Sequence, residues 1–478
     1  MKQTQPKTPP PQQQDNTLHS LFKHLRSYLK DYLPHLRLET SSDNNAAEHY
    51  IKGLIQADKA NIFRMEENVA ESNYQNIQYF ISDATWDHRV VQQLLAQETY
   101  KCLRELGQPI GLLIDESGFR KKGTMSVGVM RQWLGCIGKT DNGQVGVFAA
   151  LGADRFAVPI MEQLFIPKSW AEDKERCEKA KIPDEEIRHR TKIKIAQDMV
   201  EEIDLLGVGY DFIAVDALYG QARAFMSTID DNDKIFVGDI KNNYKVYLDD
   251  PKPYLPERKP NARGQKPKVL KTDSKSISVS KLAKKLTKDD WENIDVRHST
   301  QGMLNVKFYR QSVWVWDANM KSAREWLLLI RKDNSDHEKT TYSYSLCNLP
   351  HDTSSQVLAE YNCARFWIEQ SFRNGKQEAG MKDYQVRSWN GWHHHMTMVM
   401  MLMLFMMKTQ IDLKSDIPLL TYRDLKDIIN ELLPKKYTGL QGIILKMEAR
   451  HKMRLKDILA RYKRKGQSPP HELIAAMQ

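Results

Sequence analysis

This sequence predicts a mixed α/β fold led by a helical region, and three observations carry that expectation. Apolar residues recur at helical spacing from Thr17 to about Gly107, short β-like runs take over after Pro109, and helical spacing returns from Ser354. A chain of 478 residues has room for about two or three domains.

Residues 1–16, "MKQTQPKTPPPQQQDN", are polar and Pro/Gln-rich with no apolar stretch of a targeting signal, so a disordered tail is expected there. Leu18, Leu21, Phe22, Leu25, Leu29 and Leu33 then form an apolar stripe at spacings of three and four, closed by Pro34. Segments 46–57, 60–69, 74–81 and 88–106 continue the helical pattern. Region 17–107 reads either as a DNA-binding module or as a helical cap on the domain that follows.

The runs "IGLLID", "RQWLGCIG", "GQVGVFAALGA" and "FAVPIMEQLFIP" read as strands, with "DNG" at 141–143 as a hairpin turn. A charged helix is expected over 183–206. Next, "YDFIAVDALYG" reads as a second buried strand ending in Asp216, and "KIFVGDIK" as a further strand. Residues 242–290 are Pro/Lys-rich without periodicity and read as a basic loop. Strand signals resume in "MLNVKFYR", "SVWVWDA", "EWLLLIRK" and "TTYSYSLCN". A helix is expected over 354–380, then a Met-rich run at 396–407 that is too short to span a bilayer and suits a buried core helix. A basic helical tail closes the sequence.

Composition narrows the function. Hydrophobic residues at 41% and charged residues at 28% describe an ordinary globular protein. The net charge of +10 makes nucleic acid the first polyanion to consider. The five cysteines are dispersed and never in C-x-x-C spacing, which argues against a disulfide framework or zinc knuckle and for reduced thiols in a cytoplasmic protein.

Two buried strands end in aspartate, Asp115 in "LLIDES" and Asp216 in "IAVDALYG". Carboxylates converging on one point repel each other unless a hard divalent cation joins them. A third acid completes such a set, because three carboxylates can hold two Mg²⁺ about 4 Å apart for chemistry at phosphorus. In "YNCARFWIEQSFRNGKQEAGM", Arg365, Glu369, Arg373 and Lys376 lie along one side of a helix, which suits a metal ligand bordered by phosphate-holding cations. Turn or capping carboxylates and an ordinary surface ion pair remain the alternatives at this level.

The arginine, Glu369 and Lys376 at these spacings resemble the tail of the Tyr-Arg-Glu-Lys signature of DDE transposases of the IS-four superfamily. The strings "IDESGFRKKGTMSVGVMRQWLGCIGKTDNGQVGVFAAL", "AVDALYG" and "YQVRSWNGWHHHMTMVM" resemble, in order, three blocks of its IS-seven-zero-one-like branch. The signature's tyrosine position is Asn362 here, with Tyr361 one residue away.

This resemblance implies an RNase H-like catalytic core interrupted by a β-rich insertion, with an N-terminal helical domain. Core segments would be 108–240 and 349–410, the insertion 241–348 with its basic loop near DNA, and 411–478 a basic helical C-terminal region. It implies Asp115, Asp216 and Glu369 as metal-binding catalytic triad for two Mg²⁺, with Mn²⁺ able to substitute. Arg120, Lys121, Lys122, Tyr361, Arg365, Arg373 and Lys376 are the candidate DNA and phosphate contacts. A homodimer acting on double-stranded transposon ends and target DNA, in the bacterial cytoplasm at the nucleoid, is the expectation. The implied reaction is cut-and-paste transposition through a hairpin; a silenced DNA-bridging relative and an RNase H-like nuclease are the alternatives.

Trp291, Trp314 and Trp316 are candidates by location for stacking on a flipped base, with Trp314 and Trp316 expected on one face of a strand. Glu116 is expected to face away from Asp115. His393, His394 and His395 follow one another on a helix about 100° apart, so they do not converge on one ion.

Overall fold

The computed structural model describes residues 18–36, 45–257, 267–299, 302–333 and 341–471. The N-terminal tail and the middle of the basic loop, 258–266, lie outside the described residues. Two compact units emerge, one of residues 1–91 with 374–478 and one of residues 92–373.

The first unit is helical and is organised by the helix Trp389–Asp412. Its residues are buried almost without break from Trp389 to Met407, the signature of a helix enclosed on all sides. Methionine suits such a site because its flexible thioether fills irregular gaps between neighbouring helices. The helix Leu21–Tyr32 packs Leu21, Leu25 and Leu29 inward, and Tyr28 donates to the Met401 carbonyl at 2.8 Å. From the helix Tyr422–Leu432, Tyr422 donates to the Met403 carbonyl at 3.1 Å. No helix among the described residues is long and apolar enough to cross a membrane.

The second unit is built on one sheet. Its first six strands are β1 (Gly111–Arg120), β2 (Met130–Leu134), β3 (Lys139–Ala153), β4 (Phe156–Leu164), β5 (Phe212–Val215) and β6 (Phe236–Ile240). A small two-stranded sheet, β7 (Lys245–Val246) with β8 (Ile277–Ser278), follows. The large sheet then resumes with β9 (Glu292–Ser299), β10 (Gly302–Val315), β11 (Arg324–Asp333) and β12 (Thr341–Cys347). Its order is β2-β3-β1-β5-β6-β12-β11-β10-β9, with β4 also paired to β3. Neighbours β1, β5 and β6 run parallel, and all other pairings are antiparallel. The stretch β4-β3-β1-β5-β6, with β1 central and β3 reversed, is the RNase H-like arrangement. The strands β9 to β12 are an antiparallel meander that extends the same sheet beyond β6.

Among the sequence expectations that need correction, the helix over 183–206 begins only at Lys192. Residues 141–143 are no turn: they lie inside β3, where Gly143 pairs with both Arg120 and Met130. The chain reverses instead at Gly135–Ile137, where Gly138 supplies the left-handed φ of +61°. The expected single helix over 354–380 is two, Ser355–Ala364 and Phe366–Gln377, meeting at Arg365. Finally, β10 stops at Val315, so Trp316 lies past the strand; it is buried, and its indole donates to the Met320 carbonyl at 3.3 Å.

Candidate active site

The site follows from register. Ile114 of β1 pairs with Val215 of β5, and Val215 pairs with Gly238 of β6. The next residues in each strand direction are Asp115, Asp216 and Asp239, so three aspartates stand in one row across the parallel strands, and of these only Asp216 lies just past its strand. Neighbouring strands lie about 4.8 Å apart, and residues in one row of parallel strands face the same way. Asp115 does not end its strand, as the sequence suggested: β1 continues to Arg120, paired with β3. What ends beside Asp115 is β5, so the chain leaves the sheet at Asp216.

The departure is built locally. Asp216 caps the short helix Ala217–Gly220, its Oδ1 accepting from the amides of Leu218 at 2.8 Å and Tyr219 at 3.4 Å. That helix lies against β6 so closely that a Cβ on Gly220 would sit 2.1 Å from the Asp239 carbonyl oxygen. Only glycine permits this approach.

Arg365, at the junction of the two helices after β12, reaches in among these acids. Its Nε donates to Asp239 Oδ2 at 3.0 Å, and one terminal nitrogen lies 3.4 Å from Asp115 Oδ2 and 2.7 Å from Glu369 Oε1. Asp115 and Glu369 therefore share a single guanidinium nitrogen, although 254 positions separate them in the chain. Burial works against the charge of Arg365, yet Asp239, Glu369, Asp115 and Asp216 together hold its proton more firmly than usual.

Burial and then the charge of Asp216 push the Asp115 carboxyl up to about 8. Burial and then the charge of Glu116 raise Asp216. The site thus carries more negative charge than one guanidinium can settle. All its donors are carboxylate oxygens set in rigid structure, the ligand chemistry of a hard divalent cation. Asp115, Asp216 and Glu369 fit that role.

Glu116 stands beside this cluster, held by Lys192 Nζ at 2.9 Å and by the Tyr219 hydroxyl at 3.1 Å. Tyr219 is fully buried, and burial together with the charges of Glu116, Asp115 and Asp216 raises its hydroxyl well above the usual range. Tyr361 is not among the gathered residues: its ring stacks on Phe212 at 4.0 Å. Asn362, in the position of the signature tyrosine, donates to Ser345 Oγ at 2.7 Å, and Ser345 donates to Asp239 Oδ1 at 2.6 Å.

Of the other candidate contacts, Arg120 sits five residues beyond Asp115, about 17 Å along an extended strand, and pairs with Asp141 at 2.9 Å. Lys122 and Arg373 are exposed, and Lys121 and Lys376 are half-buried. Trp291 is half-buried near Tyr309 and Tyr342, and Trp314 is half-buried within β10. Sequence reasoning missed Asp239, although "FVGDI" repeats the pattern of an apolar strand running into an aspartate that singled out Asp115 and Asp216.

Comparison with known proteins agrees with this architecture. The model of the family described as DDE superfamily endonuclease matches residues 31–303, which include Asp115, Asp216 and Asp239. A probable transposase for insertion sequence element IS701 from Microchaete diplosiphon is 25% identical over 324 residues, spanning 66% of this chain and 70% of that protein. With more than half of its length matched by the family, the chain belongs to the DDE superfamily of endonucleases.

Proposed function

We propose that this chain is the transposase of a bacterial insertion sequence and moves its element by cut-and-paste. The observation that carries the reading is the gathering of Asp115, Asp216 and Glu369, from three distant segments, about Arg365 beside the parallel strands β1 and β5. Their carboxylates would hold two Mg²⁺, or Mn²⁺ in its place. When bound, such ions supply activation of a water and charge stabilisation at the departing oxygen.

The chain's own residues do the positioning. The rigid β1–β5 pairing and the Asp216 cap fix two of the carboxylates before substrate arrives, so little reorganisation is needed at the reacting phosphate. Arg373 and Lys376, further along the helix of Glu369, would hold phosphates flanking the scissile one, with Arg120, Lys121 and Lys122 gripping the duplex at the far end of β1. In the first step an oxygen of water attacks phosphorus in line, the P–O3′ bond breaks, and the departing oxygen takes a proton as a free 3′-hydroxyl. That hydroxyl then attacks a phosphorus of the opposite strand, displacing the flanking strand's 3′-oxygen as a hydroxyl and closing a hairpin; water reopens it by displacing the element's own 3′-oxygen, which then attacks a target phosphorus and displaces a target 3′-hydroxyl. Resemblance to relatives supports the hairpin and a homodimer that pairs two ends.

The test is cleavage of labelled terminal-repeat DNA with Mg²⁺, comparing wild type with Asp115→Asn, Asp216→Asn and Glu369→Gln. Wild type is expected to nick the end and yield a hairpin, and the variants to do neither. Variants that cut as well as wild type would refute the triad, and nicking with no strand joining would favour the RNase H-like nuclease reading.

A further inference from the structure

Asp239 lies in the aspartate row and meets Arg365 at Nε, whereas Asp115 meets a terminal nitrogen. Asp239 Oδ2 accepts from Arg365 Nε at 3.0 Å and its Oδ1 accepts from Ser345 at 2.6 Å, so both oxygens are engaged by protein donors. Ser345 is itself fully buried and fixed by Asn362. Asp239 is therefore oriented from behind by a chain of buried hydrogen bonds and directed at one group, the guanidinium that also touches Asp115 and Glu369. A guanidinium bound at Nε and at one terminal nitrogen has little rotational freedom, because its donors are fixed in one plane.

We infer that Asp239 and Arg365 form a clasp that regulates occupancy of the acidic cluster. Asp239 is a positioning residue: it anchors Arg365, whose charge competes with divalent cations for Asp115 and Glu369. The competition follows from geometry, since the nitrogen between Asp115 and Glu369 occupies the space their oxygens would share around a cation. With Asp239 in place, part of the guanidinium charge is neutralised away from the triad, and the side chain has a seat when Asp115 and Glu369 release it. Without Asp239, the whole charge falls on the two triad carboxylates and the cluster takes cations less readily. This inference rests on the proposed triad.

The experiment measures Mn²⁺ binding to the full chain by titration calorimetry, with folding checked by circular dichroism. Arg365→Gln is expected to tighten Mn²⁺ binding at least about fivefold, and Arg365→Lys, which keeps the charge, to leave it within about twofold of wild type. Asp239→Asn is expected to weaken binding about threefold or more, and that loss is expected to shrink to within about twofold when Arg365→Gln is added. Asp239→Glu is expected to restore much of the wild-type affinity. Unchanged affinity in Arg365→Gln, or an Asp239→Asn effect of equal size with and without Arg365, would overturn the clasp. Asp115→Asn separates the two levels. If it binds Mn²⁺ as tightly as wild type, the triad itself fails; if it loses binding while Arg365→Gln changes nothing, only the clasp fails.

Discussion

Two regions of this molecule concentrate titratable side chains, and they do so in opposite ways. In the sheet unit, acids from β1, the end of β5, β6 and a helix more than a hundred residues later gather around one guanidinium. In the helical unit, His393, His394 and His395 are consecutive, fully buried and directed at separate partners. His394 faces the carbonyls of Ile81 at 3.1 Å and Trp86 at 2.9 Å, His395 meets the Tyr50 hydroxyl at 2.7 Å, and His393 stacks on His88 at 4.5 Å. Consecutive helical positions diverge by about 100°, so local density scatters these side chains. Register between distant strands brings the acids together. Convergence, more than abundance, sets the acids apart, and the two regions should respond differently when disturbed.

The largest effect is expected at the acids. Asp115→Asn, Asp216→Asn and Glu369→Gln should each reduce DNA cleavage at least about 10²-fold, the scale of losing one preorganised electrostatic group. Thermal stability of Asp216→Asn should match or exceed wild type, since it removes a charge crowded by Glu116. Gly220→Ala should cost about 3 kcal/mol in chemical denaturation, because its Cβ would meet the Asp239 backbone and force the helix after Asp216 off β6. Cleavage should fall with it. In the helical unit, Tyr50→Phe should cost about 1–2 kcal/mol through the lost partner of His395, while the folded fraction cuts normally.

The pH response separates the regions by sign. Asp115, raised to about 8 by burial and Asp216, keeps a proton in the folded chain that the unfolded chain has released above about pH 4. Stability of the divalent-free protein should therefore fall as pH rises from about 4 to 8, by at most about 1.4 kcal/mol per pH unit. Burial lowers His394 to about 4, against the pull of its two carbonyl partners. The unfolded chain then binds the extra proton, and stability should fall as pH drops from about 6.5 to 4. Denaturant midpoints across pH should lose the first slope in Asp115→Asn and the second in His394→Asn. The smallest effect is at the end of β1, where Arg120→Gln and Lys122→Gln should each lower the salt dependence of DNA binding by about one in slope without altering sequence preference.

Much of this was legible in the sequence because it depends on local pattern. Ile110 to Ile114 announced a buried strand running into Asp115, and "YDFIAVDALYG" announced a second one running into Asp216. The Met-rich run announced an enclosed helix. Pairing was not legible. Nothing in "LLIDESGFR" says that β1 continues past Asp115 while its neighbour β5 stops, because strand ends are set by partners. The string "DNG" has turn chemistry, yet Gly143 is held between Arg120 and Met130, and Gly138 makes the turn. Asp239 escaped for the same reason: its strand reads like many others until the register places it level with Asp115 and Asp216. The signature spacing singled out Arg365 and Glu369, which the fold brings beside Asp115, but only the fold shows that Asn362 reaches Asp239 through Ser345 while Tyr361 turns to Phe212.

On the proposed function, the acids gathered about Arg365, and not the histidines, hold the cations that act on DNA. Anomalous scattering from Mn²⁺-soaked crystals of the protein bound to terminal-repeat DNA tests this directly. Two peaks ligated by Asp115, Asp216 and Glu369, beside the scissile phosphate, are the predicted result. Peaks among His393, His394 and His395 with none in the acidic cluster would contradict it.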